Sequence, residues 1–200
     1  QSVNRWCGSI FILFSIIMNY GSIPFAKGFQ KDVKKKLQRT NKLKTDLLTE
    51  TDLLKLSEPV QRYLKYTGVV NKPKLKNMRI VFEGQMREKG KPFFPFTCEQ
   101  YNFFDEPTRL FFMKAKMKGL TVPGYHRYTN AHALMDIRLF GLFTVVNKAG
   151  QDMEQAETVT HFKAMCLMAP AKMHDQHMTW TAMASTSATP KTKKHPSYIN

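Results

Sequence analysis

Residues 111–118 read Phe111-Phe112-Met113-Lys114-Ala115-Lys116-Met117-Lys118. Phe111, Met113, Ala115 and Met117 alternate with Phe112, Lys114, Lys116 and Lys118, so the pattern has a period of two. That period sends one set of side chains to a covered face and the other to a wetter one, as in an antiparallel sheet. The same period extends both ways along the chain. Upstream, Met78, Ile80 and Phe82 alternate with Arg79, Val81 and Glu83, and Phe96, Cys98 and Gln100 alternate with Thr97, Glu99 and Tyr101. Downstream, Tyr125 to Thr129 reads as a short strand, and Ala133, Met135, Ile137 and Leu139 alternate with Leu134, Asp136, Arg138 and Phe140. Turn chemistry separates the runs at Gly90 to Pro92, Asp105 to Pro107, Gly119 to Gly124 and Asn130 to His132.

Helical signals flank this block. Thr49 and Asp52 are spaced as a capping pair. Ser57 caps a helix with Glu58 and Pro59 in its first turn, Val60, Tyr63 and Leu64 on its apolar face, and Gly68 at its end. From Gln151 the stripe Met153, Ala156, Val159, Phe162, Cys166 and Ala169 predicts a long helix that Pro170 closes. His177 to Ala182 reads as a further strand, and the pattern dissolves beyond Ser185. Strands in a row with one late helix argue an α+β fold. The expected architecture is N-terminal transmembrane and amphipathic helices, then a curved antiparallel sheet with one long helix packed on it. The expected organisation is a membrane anchor over 1–26, a basic amphipathic linker helix over 27–56, an α+β domain over 57–184 that is incomplete at its C-terminal end, and an irregular tail over 185–200.

The charge supports that organisation. Thirty-one Lys and Arg against 15 Asp and Glu give a formal +16 over 200 residues. Residues 27–44 hold eight of the basic residues and one acid, Asp32. They follow an uncharged run from Trp6 to Ala26, which is roughly 30 Å long as a helix and spans a bilayer core. Phe29, Val33 and Leu37 recur every four residues among the lysines, as in a helix lying against headgroups. Lys31, Lys34, Lys35, Lys36, Arg39 and Lys42 are the expected headgroup contacts. Basic residues on the C-terminal flank place that side in the cytoplasm, which predicts a single-pass protein of the cell membrane. A cleaved signal peptide is the competing reading of the same run. Three scattered cysteines, Cys7, Cys98 and Cys166, make no disulfide framework.

Five motifs carry a resemblance: Glu58-Pro59-Val60-Gln61-Arg62-Tyr63-Leu64, Phe82-Glu83-Gly84, Phe96-Thr97-Cys98-Glu99-Gln100-Tyr101, the run from Met135 to Phe143, and Asp152-Met153-Glu154-Gln155-Ala156-Glu157. In this order they resemble an uncharacterised bacterial family, a domain of unknown function usually preceded by a membrane segment. The resemblance covers about Ser57 to Ala182. It implies no established activity and transfers no catalytic residue.

The chain has no glycine-rich phosphate loop, no nucleophile elbow, no paired-cysteine zinc motif and no metalloprotease helix motif, and no cofactor is implied. His174 and His177 near Asp175 offer two metal ligands without a third, so no metal site is expected. Glu99, Tyr101, His126, Arg127, Asp136 and Arg138 are the candidate ligand-binding residues, all within strand-patterned segments. Fifteen Phe and 12 Met point to an adaptable apolar surface. The expected function is a membrane-anchored, non-enzymatic domain whose partners are membrane lipids and an apolar small molecule or lipidated chain. One alternative is a hydrolase or lyase acting on a lipid-like substrate, with His126 or His161 beside Glu99 or Asp136. A second is a nucleic-acid-binding module using Lys114, Lys116 and Lys118 with Tyr101, Phe103 and Phe104.

Overall fold

The computed structural model describes residues 23, 25–117, 120–139, 141–175 and 178–192. A helix α1 over residues 25–40 leads into the short α2 (Glu50–Leu53) and α3 (Glu58–Tyr66). Six strands follow in one antiparallel sheet whose spatial order is the chain order: β1 (Asn77–Met86), β2 (Phe94–Phe103), β3 (Thr108–Met117), β4 (Leu120–Thr129), β5 (His132–Leu139) and β6 (Phe143–Ala149). Helix α4 (Gln151–Met168) comes next, then a tight 3-10 turn over Pro170–His174. The hairpin β7 (Met178–Ala184) and β8 (Ser187–Thr192) forms a separate two-stranded sheet. The fold is α+β, as the period of two predicts.

Local chemistry explains the boundaries. Thr49 accepts the Asp52 N–H, and the Asp52 carboxylate accepts the Thr49 N–H at 2.9 Å, a complete capping box. Gly68 ends α3 in the left-handed region at φ 68°. Asn130 and Ala131 take φ 51° and 70°, the two left-handed positions of a two-residue hairpin between β4 and β5.

Three segments depart from expectation. The Gly119–Gly124 turn is instead largely the first half of a ten-residue β4. Pro123 sits just before that strand begins its ladder with β5 at Gly124, so its missing N–H interrupts no bonding on that side. Phe143–Ala149 forms β6 without a clean apolar alternation, because most of its side chains are exposed and a bulge at Ile137/Arg138 shifts its register. Ser187–Thr192, expected to be irregular, pairs as β8. Its small residues give no hydrophobic signal, yet Ala188 packs into the helical core.

Two apolar cores lie on opposite sides of the sheet. Phe29 and Val33 of α1 pack with Phe103, Leu110, Phe112 and Tyr125 on one face. The Phe29 ring stacks on Phe112 at 5.2 Å and meets Tyr125 edge-on at 5.4 Å. So the apolar stripe Phe29, Val33 and Leu37 packs against β-strands. The second core joins Leu53, Val60 and Leu64 from α2 and α3 to Phe104, Met165 and Met173. Of the expected span Trp6–Ala26, all but Ile23, Phe25 and Ala26 lies outside the described residues. Among the described residues no helix is long and apolar enough to cross a membrane.

Candidate functional site

Strand register decides which polar groups meet. Asn102 pairs with Arg109, and Phe111 with His126, so Gln100, Asn102, Arg109, His126 and Tyr128 share the sheet face away from α1. Helix α4 crosses that face and buries Glu157, His161 and Met165, successive residues four apart. Of the expected stripe Met153, Ala156, Val159, Phe162, Cys166 and Ala169, the last three pack into the helical core, whereas Ala156 is exposed and Met153 and Val159 are only half-buried. The helix turns a carboxylate inward toward the guanidinium the strands present, and the imidazole one turn on packs between Phe104 and Tyr128.

Arg109 is the hub. Its Nη1–H donates to Glu157 Oε2 at 2.7 Å and its Nη2–H to Gln100 Oε1 at 3.1 Å. Gln100 donates on to Asn102 at 3.3 Å. The guanidinium lies 4.7 Å over the Phe111 ring. His126 Nδ1 lies 3.6 Å from the other Glu157 oxygen. A buried charge is tolerated only when paired and hydrogen-bonded, and this cluster meets that demand for Glu157. It does not meet it everywhere: Arg109 Nε, His126 Nε2 and His161 Nδ1 are buried without a hydrogen-bond partner among the described residues. Burial pushes the His126 pKa below its usual value, opposed by Glu157. Burial, with Arg109 nearby, pushes that of His161 down to about 4. Both imidazoles are neutral at pH 7.

Beside the cluster a cavity of about 370 Å³ opens between α4, the β2–β3 turn and the β4–β5 turn. Phe104, Tyr128, Phe162, Met165 and Met178 give it apolar walls, His161 a polar one, and Asp105, Lys172 and Asp175 polar groups besides. Its size suits a small molecule or part of a chain. His161 is wedged between rings, 6.0 Å from Phe104 and 5.7 Å from Tyr128. Every residue lining this cavity falls between positions 104 and 178.

The family of unknown function DUF6544 matches residues 46–198. The chain belongs to that family. The match contains the cavity and the buried cluster, and α1 precedes it. No curated protein and no solved structure matches the chain.

The candidate residues read from the sequence divide between the sheet's two faces. His126 joins the buried cluster. Glu99, Tyr101, Arg127, Asp136 and Arg138 stand on the α1 face. There Arg79 donates to Glu99 at 2.8 Å, Arg138 grips Asp136 at 2.7 Å, and Asp32 of α1 accepts from Tyr125 at 2.8 Å with Arg127 at 3.8 Å. The Asp32 contacts seat α1, whereas the other two pairs lie within the sheet. Neither histidine lies beside Glu99 or Asp136, since the sheet separates them; the carboxylate beside His126 is Glu157. Phe103 and Phe104 are buried in the two cores and offer no stacking platform to bases. Lys36 and Arg39, expected at headgroups, pair with Asp105 and Glu106, whereas Lys31, Lys34, Lys35 and Lys42 are exposed. His174 faces Asp52 at 3.3 Å, and among the described residues no group of three suitable side chains could hold a metal. The sequence reading missed Glu157, Arg109 and Gln100 as site residues. The available signal was the spacing of Glu157 and His161, four apart and so on one helical face.

Proposed function

We propose that this family domain binds a small apolar or amphipathic ligand, of single-acyl-chain thickness, in the cavity beside α4. The observation that carries the reading is the cavity wall: Phe104, Tyr128, Phe162, Met165 and Met178 give it an apolar side, into which the neutral His161 imidazole is set, and charged groups lie along the rest of its lining. Such a wall accepts an apolar body by burial, and the polar groups along its lining orient a polar end. Met165 and Met178 adapt their shape to an irregular guest. Asp105, Asp175 and Lys172 lie where a polar headgroup would remain wet.

Titration with N-phenylnaphthylamine, a neutral probe that fluoresces in apolar surroundings, tests the reading. Saturable binding is expected, lost in Met178→Trp, which fills the cavity, while thermal unfolding of that variant stays cooperative. Equal binding by wild type and the filled variant would place the probe elsewhere and defeat the proposal.

A further inference from the structure

The chain-order meander puts the β1–β2, β3–β4 and β5–β6 connections at one end of the sheet and the β2–β3 and β4–β5 turns at the other. The first end is unusual in what it exposes. Met86, Phe93, Met117, Leu120, Leu142 and Phe143 are all solvent-exposed there, Phe93 at 57% and Phe143 at 65%. Exposed apolar side chains grouped in this way mark interaction surfaces.

Cations are interleaved with them. Arg87, Lys89, Lys91, Lys114 and Lys116 are exposed at the same end, and the Arg87 guanidinium lies 4.6 Å over the Phe93 ring. The carboxylates nearby are Glu83 and Glu88, the latter paired with Lys91. The opposite end carries Asp105 and Glu106, which are paired with Lys36 and Arg39.

The chain enters at the basic end. Ala26 lines a hollow with Val81, Thr97 and Lys114, and Phe25 lines another with Gly141. So α1 begins beside these three connections, and in sequence it is preceded by residues that are uncharged from Trp6 on. Exposed aromatic and aliphatic tips, ringed by Lys and Arg, next to the arrival point of an uncharged segment, match the chemistry of a bilayer interface: rings at headgroup level and cations against anionic phosphates. A protein partner would need apolar complementarity but no such excess of cations.

We propose that this end of the sheet seats on the surface of an anionic bilayer. The inference is independent of the ligand reading, and it turns the cavity, at the other end of the strands, away from the membrane.

Photo-crosslinking of the full chain tests it. Phe93→benzoylphenylalanine and Phe143→benzoylphenylalanine replace exposed aromatic residues with little demand on folding. Tyr66→benzoylphenylalanine on α3, and Lys35→benzoylphenylalanine on the outer side of α1, serve as controls. Each is reconstituted with vesicles of phosphatidylcholine and phosphatidylglycerol and irradiated. Lipid adducts are expected at positions 93 and 143 and not at 66. The yield at 93 should fall by about tenfold or more when phosphatidylcholine alone is used, or when Lys89, Lys91, Lys114 and Lys116 are changed to Gln. Adducts at 35 without adducts at 93 and 143 would lay α1 flat on the bilayer and overturn the proposal. Yields at 93 and 143 no higher than at 66, or adducts there to a second copy of the chain in place of lipid, would overturn it too.

Discussion

Arg109 of β3 and Glu157 of α4 meet at 2.7 Å, each side chain only about 10% exposed, and this is the only arginine–carboxylate pair that α4 makes with the sheet among the described residues. An apolar helix could settle on a sheet in several rotations. A helix that must bring a carboxylate to one guanidinium has its rotation set, and with it the position of His161 in the cavity wall.

Arg109→Met leaves Glu157 buried without its partner. The expected loss is about 3–5 kcal/mol of unfolding free energy, measured in urea. The double variant Arg109→Met/Glu157→Leu removes both charges and should recover most of it. A single variant within about 1 kcal/mol of wild type would mean that the pair is not desolvated.

His161 makes stability depend on pH. Its folded pKa of about 4 lies below the usual histidine value, so the unfolded chain takes up a proton first as pH falls. The folded state is then fully stabilised above about pH 6.5 and loses roughly 3 kcal/mol as pH drops toward 4. His161→Phe, a ring of similar size, should flatten much of that slope in urea melts between pH 7 and pH 4.5. His126, also held down by burial, leaves a residual slope. A slope unchanged by the substitution would locate the titration elsewhere.

Phe29→Ala should cost about 3–5 kcal/mol, because the ring is buried between Phe112 and Tyr125. Lys34→Gln and Lys35→Gln, exposed on the outer side of the same helix, should stay within about 0.5 kcal/mol of wild type in the same melts. Equal, small effects from all three would mean that α1 does not hold the sheet.

Much of this fold is legible in the residues themselves. The alternation around Phe111–Met117, the Thr49–Asp52 cap and the Asn130 hairpin are local signals, and each lies where local chemistry puts it. The site is less legible. Glu157 and His161 read as the wet side of α4 in a pattern built from apolar residues alone. Arg109, the partner of Glu157, lies about 50 residues upstream, and Gln100 in turn accepts from Arg109. Whether His126 faces Glu99 or Glu157 depends on strand register, which pairs Phe111 with His126 and so turns His126 away from the α1 face. The stripe Phe29, Val33, Leu37 predicts a helix correctly but not what the helix lies on. A sheet and a bilayer demand the same apolar face.

The methionines offer the most direct test of ligand binding beside α4. Met165 and Met178 line the cavity, whereas Met113 and Met135 lie on the same sheet face beyond it. With methyl-labelled methionine, the NMR signals of the full chain can be followed while N-phenylnaphthylamine is added. Binding in the cavity predicts saturating shifts at Met165 and Met178, with Met113 and Met135 unmoved. Shifts confined to Met113 and Met135, or none at Met165 and Met178 at saturating probe, would contradict it.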